Sequence, residues 1–84
     1  MNNKVLVEVE FPKIEATYTV FIPINKRIIN VIQLLEKGVK SLSDDYYMTE
    51  GEHYLYKKET GLRYDDSLVV KETDIRNGSK LIIL

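Results

Sequence analysis

His53 is the one histidine in a chain of 84 residues that has no cysteine. It follows Glu52, and Asp44, Asp45 and Glu50 stand shortly before it. A histidine among carboxylates is raw material for acid–base work or for holding a cation. Acid–base and nucleophilic catalysis need a base beside a nucleophile, or two carboxylates facing each other in a cleft. A metal cage needs ligands at recurring spacing. Neither pattern is present, and the acidic positions do not match the ligand spacing of a calcium-binding loop. "SDDYYMTEGE" therefore reads as a solvated loop, and His53 as an ordinary surface or strand-entry residue with no assigned role. Asp65-Asp66 reads as a turn. No catalytic, cofactor-binding or metal-binding residue is assigned; the expectation is a protein without cofactor that is not an enzyme.

Non-covalent recognition needs different residues, aromatic or apolar side chains held outside the core. Tyr54, Tyr56, Ile82 and Leu84 are the first candidates, provided that the elements carrying them turn all four to one side. Tyr46, Tyr47 and Met48 in "DDYYM" are a second candidate, because aromatic and methionine side chains are enriched at interfaces, although the favoured reading is that one or two of them fold back to close the end of a small core.

Those elements are set by periodicity. "KVLVEVEF" puts Val5, Val7, Val9 and Phe11 on one face and Leu6, Glu8 and Glu10 on the other, as in a half-buried strand. After "PKIEA", "TYTVFI" alternates Tyr18, Val20 and Ile22 with Thr17, Thr19 and Phe21, and the two strands should form a hairpin. "PINKRIINVIQLLEKGVKSL" changes to a helical period, with Ile28, Val31, Ile32, Leu35, Val39 and Leu42 on one stripe. Asn25 is placed to cap this helix, with Ile24 and Ile29 at staple spacing. Gly38 costs about 1 kcal/mol inside a helix, and the helix is expected to end near Leu42. "HYLYKK" reads as a third strand with Leu55 opposed to Tyr54 and Tyr56. The turn-rich stretch that follows has single apolar anchors at Leu62, Leu68 and Ile75. Asn77-Gly78 suits a turn that needs positive φ, and "KLIIL" is a final strand.

One helix must cover one face of one sheet, since only that arrangement buries the helix stripe and the inward strand residues together. The fold class is α+β, a roll with a mixed sheet of four to five strands, residues 1–84 forming a single domain. The first and last strands, both apolar, should lie side by side at the centre. Val7, Val20, Val31, Leu35, Leu55 and Leu81 should share the core. By the period of two, Leu55, Leu81 and Ile83 then face the helix, and Tyr54, Tyr56, Ile82 and Leu84 share the open face.

Composition narrows the partners. Hydrophobic content of 44% with 30% charged residues fits a globular chain. Twelve basic and thirteen acidic residues leave a net charge of -1 and no basic patch for phosphates, so nucleic acid is not expected as a partner. No apolar run is long enough to enter a membrane directly, and the charged, alternating start lacks the apolar stretch of a secretory signal, so a cytoplasmic location is expected.

The order of elements and their spacing resemble ubiquitin. "RIINVIQLL" is similar to the ubiquitin helix, and "GLRYDDSLVVKETDIRNGSKLIIL" resembles its succession of Leu, Ser/Thr-Leu, Ile, turn and strand, while "SDDYYMTEGE" has the look of an insertion. Among β-grasp proteins the chain most resembles the short bacterial YukD/EsaB family associated with type VII secretion, in its length, its hairpin entering an Ile/Val-rich helix, and the terminal "NG-x-x-L-x-I-L". The resemblance implies a ubiquitin-like roll and a cytoplasmic accessory or regulatory component that meets a protein partner such as a secretion-system component, with self-association as another use of the same face. It also places Tyr56, Ile82 and Leu84 at or beside the main hydrophobic recognition patch of ubiquitin. Conjugable relatives carry a flexible Gly-Gly tail; with Leu84 on a strand, neither conjugation nor sulfur transfer is expected. The other reading is a β-grasp subunit of a multicomponent enzyme complex such as an oxygenase.

Overall fold

The computed structural model describes residues 3–43 and 52–84. Strand β1 (Lys4–Phe11) turns through a short 3-10 segment (Pro12–Ile14) into β2 (Ala16–Pro23), and helix α1 (Ile28–Ser43) follows. Strand β3 (Leu55–Lys57), a second 3-10 turn (Val70–Glu72) and strand β4 (Lys80–Ile83) complete the chain. The strands lie in the order β2-β1-β4-β3, antiparallel except for the central pair β1 and β4, which run parallel. Among the described residues this is the mixed sheet with one helix that the alternation required.

Why these residues make these strands is visible in their burial. Val7, Val9 and Phe11 of β1, Ile22 of β2, Leu55 of β3 and Leu81 and Ile83 of β4 are all within a few percent of full burial. They meet Ile28, Val31, Ile32 and Val39 from the helix, while Val5, Tyr18, Val20 and Leu35 pack around the margin. The expected core is therefore right for Val7, Val31, Leu55 and Leu81, and Val20 and Leu35 stand half-buried at its border. Gly78 takes φ of 90°, as the Asn77-Gly78 turn demanded, and Asn77 Oδ1 accepts the Leu6 N–H at 2.8 Å, tying the turn to β1.

Several expectations are corrected. Leu42 lies on the helix but is 70% exposed, at the rim of an apolar groove that it shares with Tyr18 and Val20 instead of in the core. The expected end of the helix near Leu42 holds, since α1 runs through Gly38 to Ser43. Asn25 does not cap it, since the helix starts later: the Arg27 carbonyl accepts from Asn30 and Val31, and the free amides of Ile28 and Ile29 donate to the carbonyls of Leu68 and Asp66 at 2.8 and 3.1 Å. A neighbouring turn thus supplies acceptors that a side-chain cap would otherwise provide. That turn is held by Asp65 Oδ1, which accepts from the backbone and hydroxyl of Ser67 at 2.9 and 2.7 Å. Of the three expected anchors Ile75 is buried, whereas Leu62 and Leu68 are exposed, and Tyr64 and Val70 take inward positions in their place.

Of its two expected readings, His53 bears out strand entry and not surface. It is buried at the entry to β3, its Nδ1 2.8 Å from the Glu36 carboxylate of α1 and its Nε2 3.2 Å from Lys13 Nζ. An ammonium can only donate, so Nε2 accepts and Nδ1 carries the proton directed at Glu36. The ring clamps β3 to the helix and to the first turn. Asp44, Asp45 and Glu50 lie outside the described residues.

Candidate protein-binding face

Strand β3 reaches the sheet edge beside β4 with Leu55 opposite Ile83 and Tyr56 opposite Ile82. The ladder extends one pair further, because Tyr54 N–H donates to the Leu84 carbonyl at 2.8 Å and Leu84 N–H to the Tyr54 carbonyl at 3.1 Å. In an antiparallel pair, residues directly opposite share a face. Leu55 and Ile83 are buried toward the helix, so Tyr54 with Leu84 and Tyr56 with Ile82 form two facing pairs on the outer side. The register brings all four predicted residues together. The three central ones are half-buried and Leu84 is 46% exposed. Tyr46, Tyr47 and Met48 lie outside the described residues.

Sequence reasoning missed Arg63. The segment after the 58–61 turn folds back along β3, with Tyr64 N–H donating to the Leu55 carbonyl and Lys57 N–H to the Leu62 carbonyl. This puts Arg63 opposite Tyr56 in an isolated bridge, one diagonal step from Tyr54. Its guanidinium lies 3.7 Å above the Tyr54 ring centroid, and one arm reaches Asp66 at 3.5 Å. A cation over an aromatic face is worth about 0.5–1 kcal/mol at an exposed site. Nothing local in "GLRYDD" announces the contact, which needs the return of the chain along β3. Glu52 hydrogen-bonds the hydroxyl of the same tyrosine, which raises the Tyr54 pKa above the ordinary value.

Charges border the patch. Lys58 and Glu10 form a 3.0 Å ion pair on the outer face, next to Ile82 in the register, with Glu8 and Lys80 beyond. The Glu10 carboxylate keeps the Lys58 ammonium pKa raised. An apolar and aromatic centre with a charged margin is the usual anatomy of a protein-recognition surface. On the inner side of the same edge, Asp74 accepts from Lys57 Nζ at 2.9 Å and from the buried Tyr64 hydroxyl at 2.8 Å, which holds β3 against the irregular segment. Burial, then the bond to Asp74, drives the Tyr64 pKa far up, and the bonds from Lys57 and Tyr64 draw the Asp74 pKa down. Among the described residues no group of His, Cys, Asp or Glu is placed to hold a metal ion, and no helix is long and apolar enough to cross a membrane.

No known family's sequence profile matches the chain, and no curated protein matches it by sequence. Solved structures do. A chain of the MycP5-free ESX-5 inner membrane complex superposes with a TM-score of 0.82 at 20% identity over 99% of this chain. The fold is the ubiquitin-like β-grasp. This ubiquitin-like chain spans only 21% of that ESX-5 chain. The EccD5 ubiquitin-like domain from Mycobacterium xenopi matches with a TM-score of 0.80 at 16% identity, over 99% of this chain and 94% of that one. A chain of the toluene 4-monooxygenase HD complex with 4-bromobenzoate matches with a TM-score of 0.73 at 16% identity, over 95% of each.

Proposed function

We propose that the chain is a non-catalytic ubiquitin-like interaction module, a cytoplasmic accessory or regulatory component of a bacterial type VII secretion system. It works through non-covalent contact. The reading is supported by the outer face, where the β3–β4 register gathers Tyr54, Tyr56, Ile82 and Leu84 into one patch beside Arg63. The likeness to an ESX-5 inner membrane complex chain and to the EccD5 domain supports the choice of apparatus, in line with the YukD/EsaB resemblance of the sequence.

The test is capture of the secretion complex from cells by tagged protein, comparing wild type with Tyr56→Ala and with Lys40→Ala on the exposed side of α1. Wild type and Lys40→Ala should retain the complex and Tyr56→Ala should lose it, with all three folded. Equal retention by all three would remove this face from the account.

A second reading rests on the match to the toluene 4-monooxygenase complex chain, whose length this chain covers almost entirely. There the chain would serve as a non-catalytic subunit of an oxygenase. The same capture separates the two: oxygenase subunits in place of secretion components would establish the second reading.

A further inference from the structure

The opposite edge of the sheet is formed by β2, and no described residue pairs with its outer side. The hydrogen-bond phase shows what that edge offers. Ile24 N–H donates to the Asn3 carbonyl at 2.9 Å, in register with the β1–β2 ladder, so by alternation Ile22, Val20, Tyr18 and Ala16 turn their backbone groups toward β1. The other side of β1 agrees: Glu8 N–H donates to the Ser79 carbonyl, and the Leu6 carbonyl accepts from Gly78, so even-numbered β1 residues serve β4. Thr17, Thr19 and Phe21 therefore direct their N–H and C=O groups off the edge.

Folded proteins blunt such edges with charges, bulges, prolines or short strands. Here "ATYTVFIP" runs for eight residues with no charged side chain and an unbroken register, and its one proline stands at the far end. Apolar surface flanks it on both sides. Phe21 is 63% exposed on the outer face. On the helix side, Tyr18 and Val20 share a groove of about 100 Å³ with Leu34, Gly38 and Leu42. These three helical positions lie on one face at i, i+4 and i+8, the leucines are 52% and 70% exposed, and a Cβ placed on Gly38 would meet nothing within 4 Å.

We propose that β2 pairs antiparallel with β2 of a second copy, Thr19 meeting Thr19 of the second copy at the two-fold axis. The occupant follows from the strand's own chemistry. Outward-facing groups at Thr17, Thr19 and Phe21 are met by those at Phe21, Thr19 and Thr17 when the strand is reversed on itself, and without charges no like pair is opposed. Tyr18 and Val20 then face each other across the joint beneath the two Leu34–Gly38–Leu42 faces, in a self-complementary contact. The two sheets become one of eight strands, and the Tyr54–Leu84 patches stand at its two far ends. This inference does not rest on the secretion reading.

The test is sedimentation of the full chain over a concentration series, with amide exchange read at Thr17, Thr19 and Phe21. Dimer should form with rising concentration, and exchange at these three amides should slow in step. Thr19→Pro removes an outward donor without touching the β1 ladder and should leave a monomer. Leu42→Glu and Phe21→Lys alter exposed side chains only and should each weaken the dimer about tenfold, which keeps the test decisive if Thr19→Pro misfolds. A monomer at every concentration overturns the proposal. So does protection of the three amides in the dilute monomer, which would mean that the chain's own residues cover the edge, and so does a dimer lost in Tyr56→Ala but kept in Leu42→Glu.

Discussion

His53 and Glu36 meet at 2.8 Å, and this contact fastens the residue entering β3 to the middle of α1. Lys13 occupies the other ring nitrogen, so a buried polar ring has a partner at each end. Removing Glu36 alone leaves the Nδ1 proton of a buried ring without its partner. Glu36→Ala is expected to cost about 1–3 kcal/mol in urea denaturation, and Glu36→Ala combined with His53→Leu is expected to cost less than the single change, because no buried donor is then orphaned. The opposite order would show that the ring is hydrated in the folded state.

Leu81 and Leu42 contrast the core with the exposed end of the helical stripe. Leu81 is 1% exposed between β1 and β3, so Leu81→Ala should cost about 2–5 kcal/mol through the cavity it leaves. Leu42→Ala should change stability by less than about 0.5 kcal/mol. Thermal or urea melts of the two variants check both values.

Tyr56 faces Ile82 across one ladder, and loss of that cross-strand pair should cost the fold only about 0.2–1 kcal/mol. If Tyr56 anchors a partner, Tyr56→Ala should weaken binding by about 2 kcal/mol or more. Titration against the captured partner gives the second number and a melting curve the first. Losses of the same size in both measurements would make Tyr56 a packing residue.

Asp74 gives the chain a pH dependence of definite sign. Its hydrogen bonds from Lys57 and then Tyr64 lower its pKa below the ordinary 3.8, so the folded chain takes up this proton less readily than the unfolded one. The resulting stability is present above 3.8 and is lost as pH falls through the folded value. Asp74→Asn should be less stable than wild type near neutral pH, and the gap should narrow on acidification from about pH 5 to pH 2. A gap that stays constant in urea midpoints across this range would rule out the linkage.

Much of the architecture was legible because period-two and period-3.6 patterns leave few ways to bury the apolar stripes. Val5 to Phe11 and Tyr18 to Ile22 defined the hairpin, and the outward placement of Tyr54, Tyr56, Ile82 and Leu84 followed from Leu55, Leu81 and Ile83 facing in. What escaped was non-periodic or non-local. Leu42 fits the helical stripe but is 70% exposed, and periodicity alone does not say where along a stripe burial stops. Leu62 stands alone and Leu68 heads the run Leu68-Val69-Val70, both in irregular chain, where nothing in the pattern ranks them below Tyr64 or Val70. His53 looks solvated beside its acidic neighbours, and only the meeting of Lys13 and Glu36 around it shows otherwise. Arg63 joins the candidate face through a chain reversal that no local motif signals.

The start of α1 has a consequence for how the molecule folds. Its first amides find acceptors at Asp66 and Leu68, Val70 N–H returns to the Lys26 carbonyl, and Lys71 N–H to that of Ile24. A helix end capped from within can form early as an autonomous unit, but this one is completed by a segment far downstream. Loop closure must come first, and the ordering entropy of the intervening chain is spent before the first turn is secured. The amides of Ile28 and Ile29 should therefore exchange with solvent only when the whole domain opens, making the helix entrance a reporter of global rather than local unfolding.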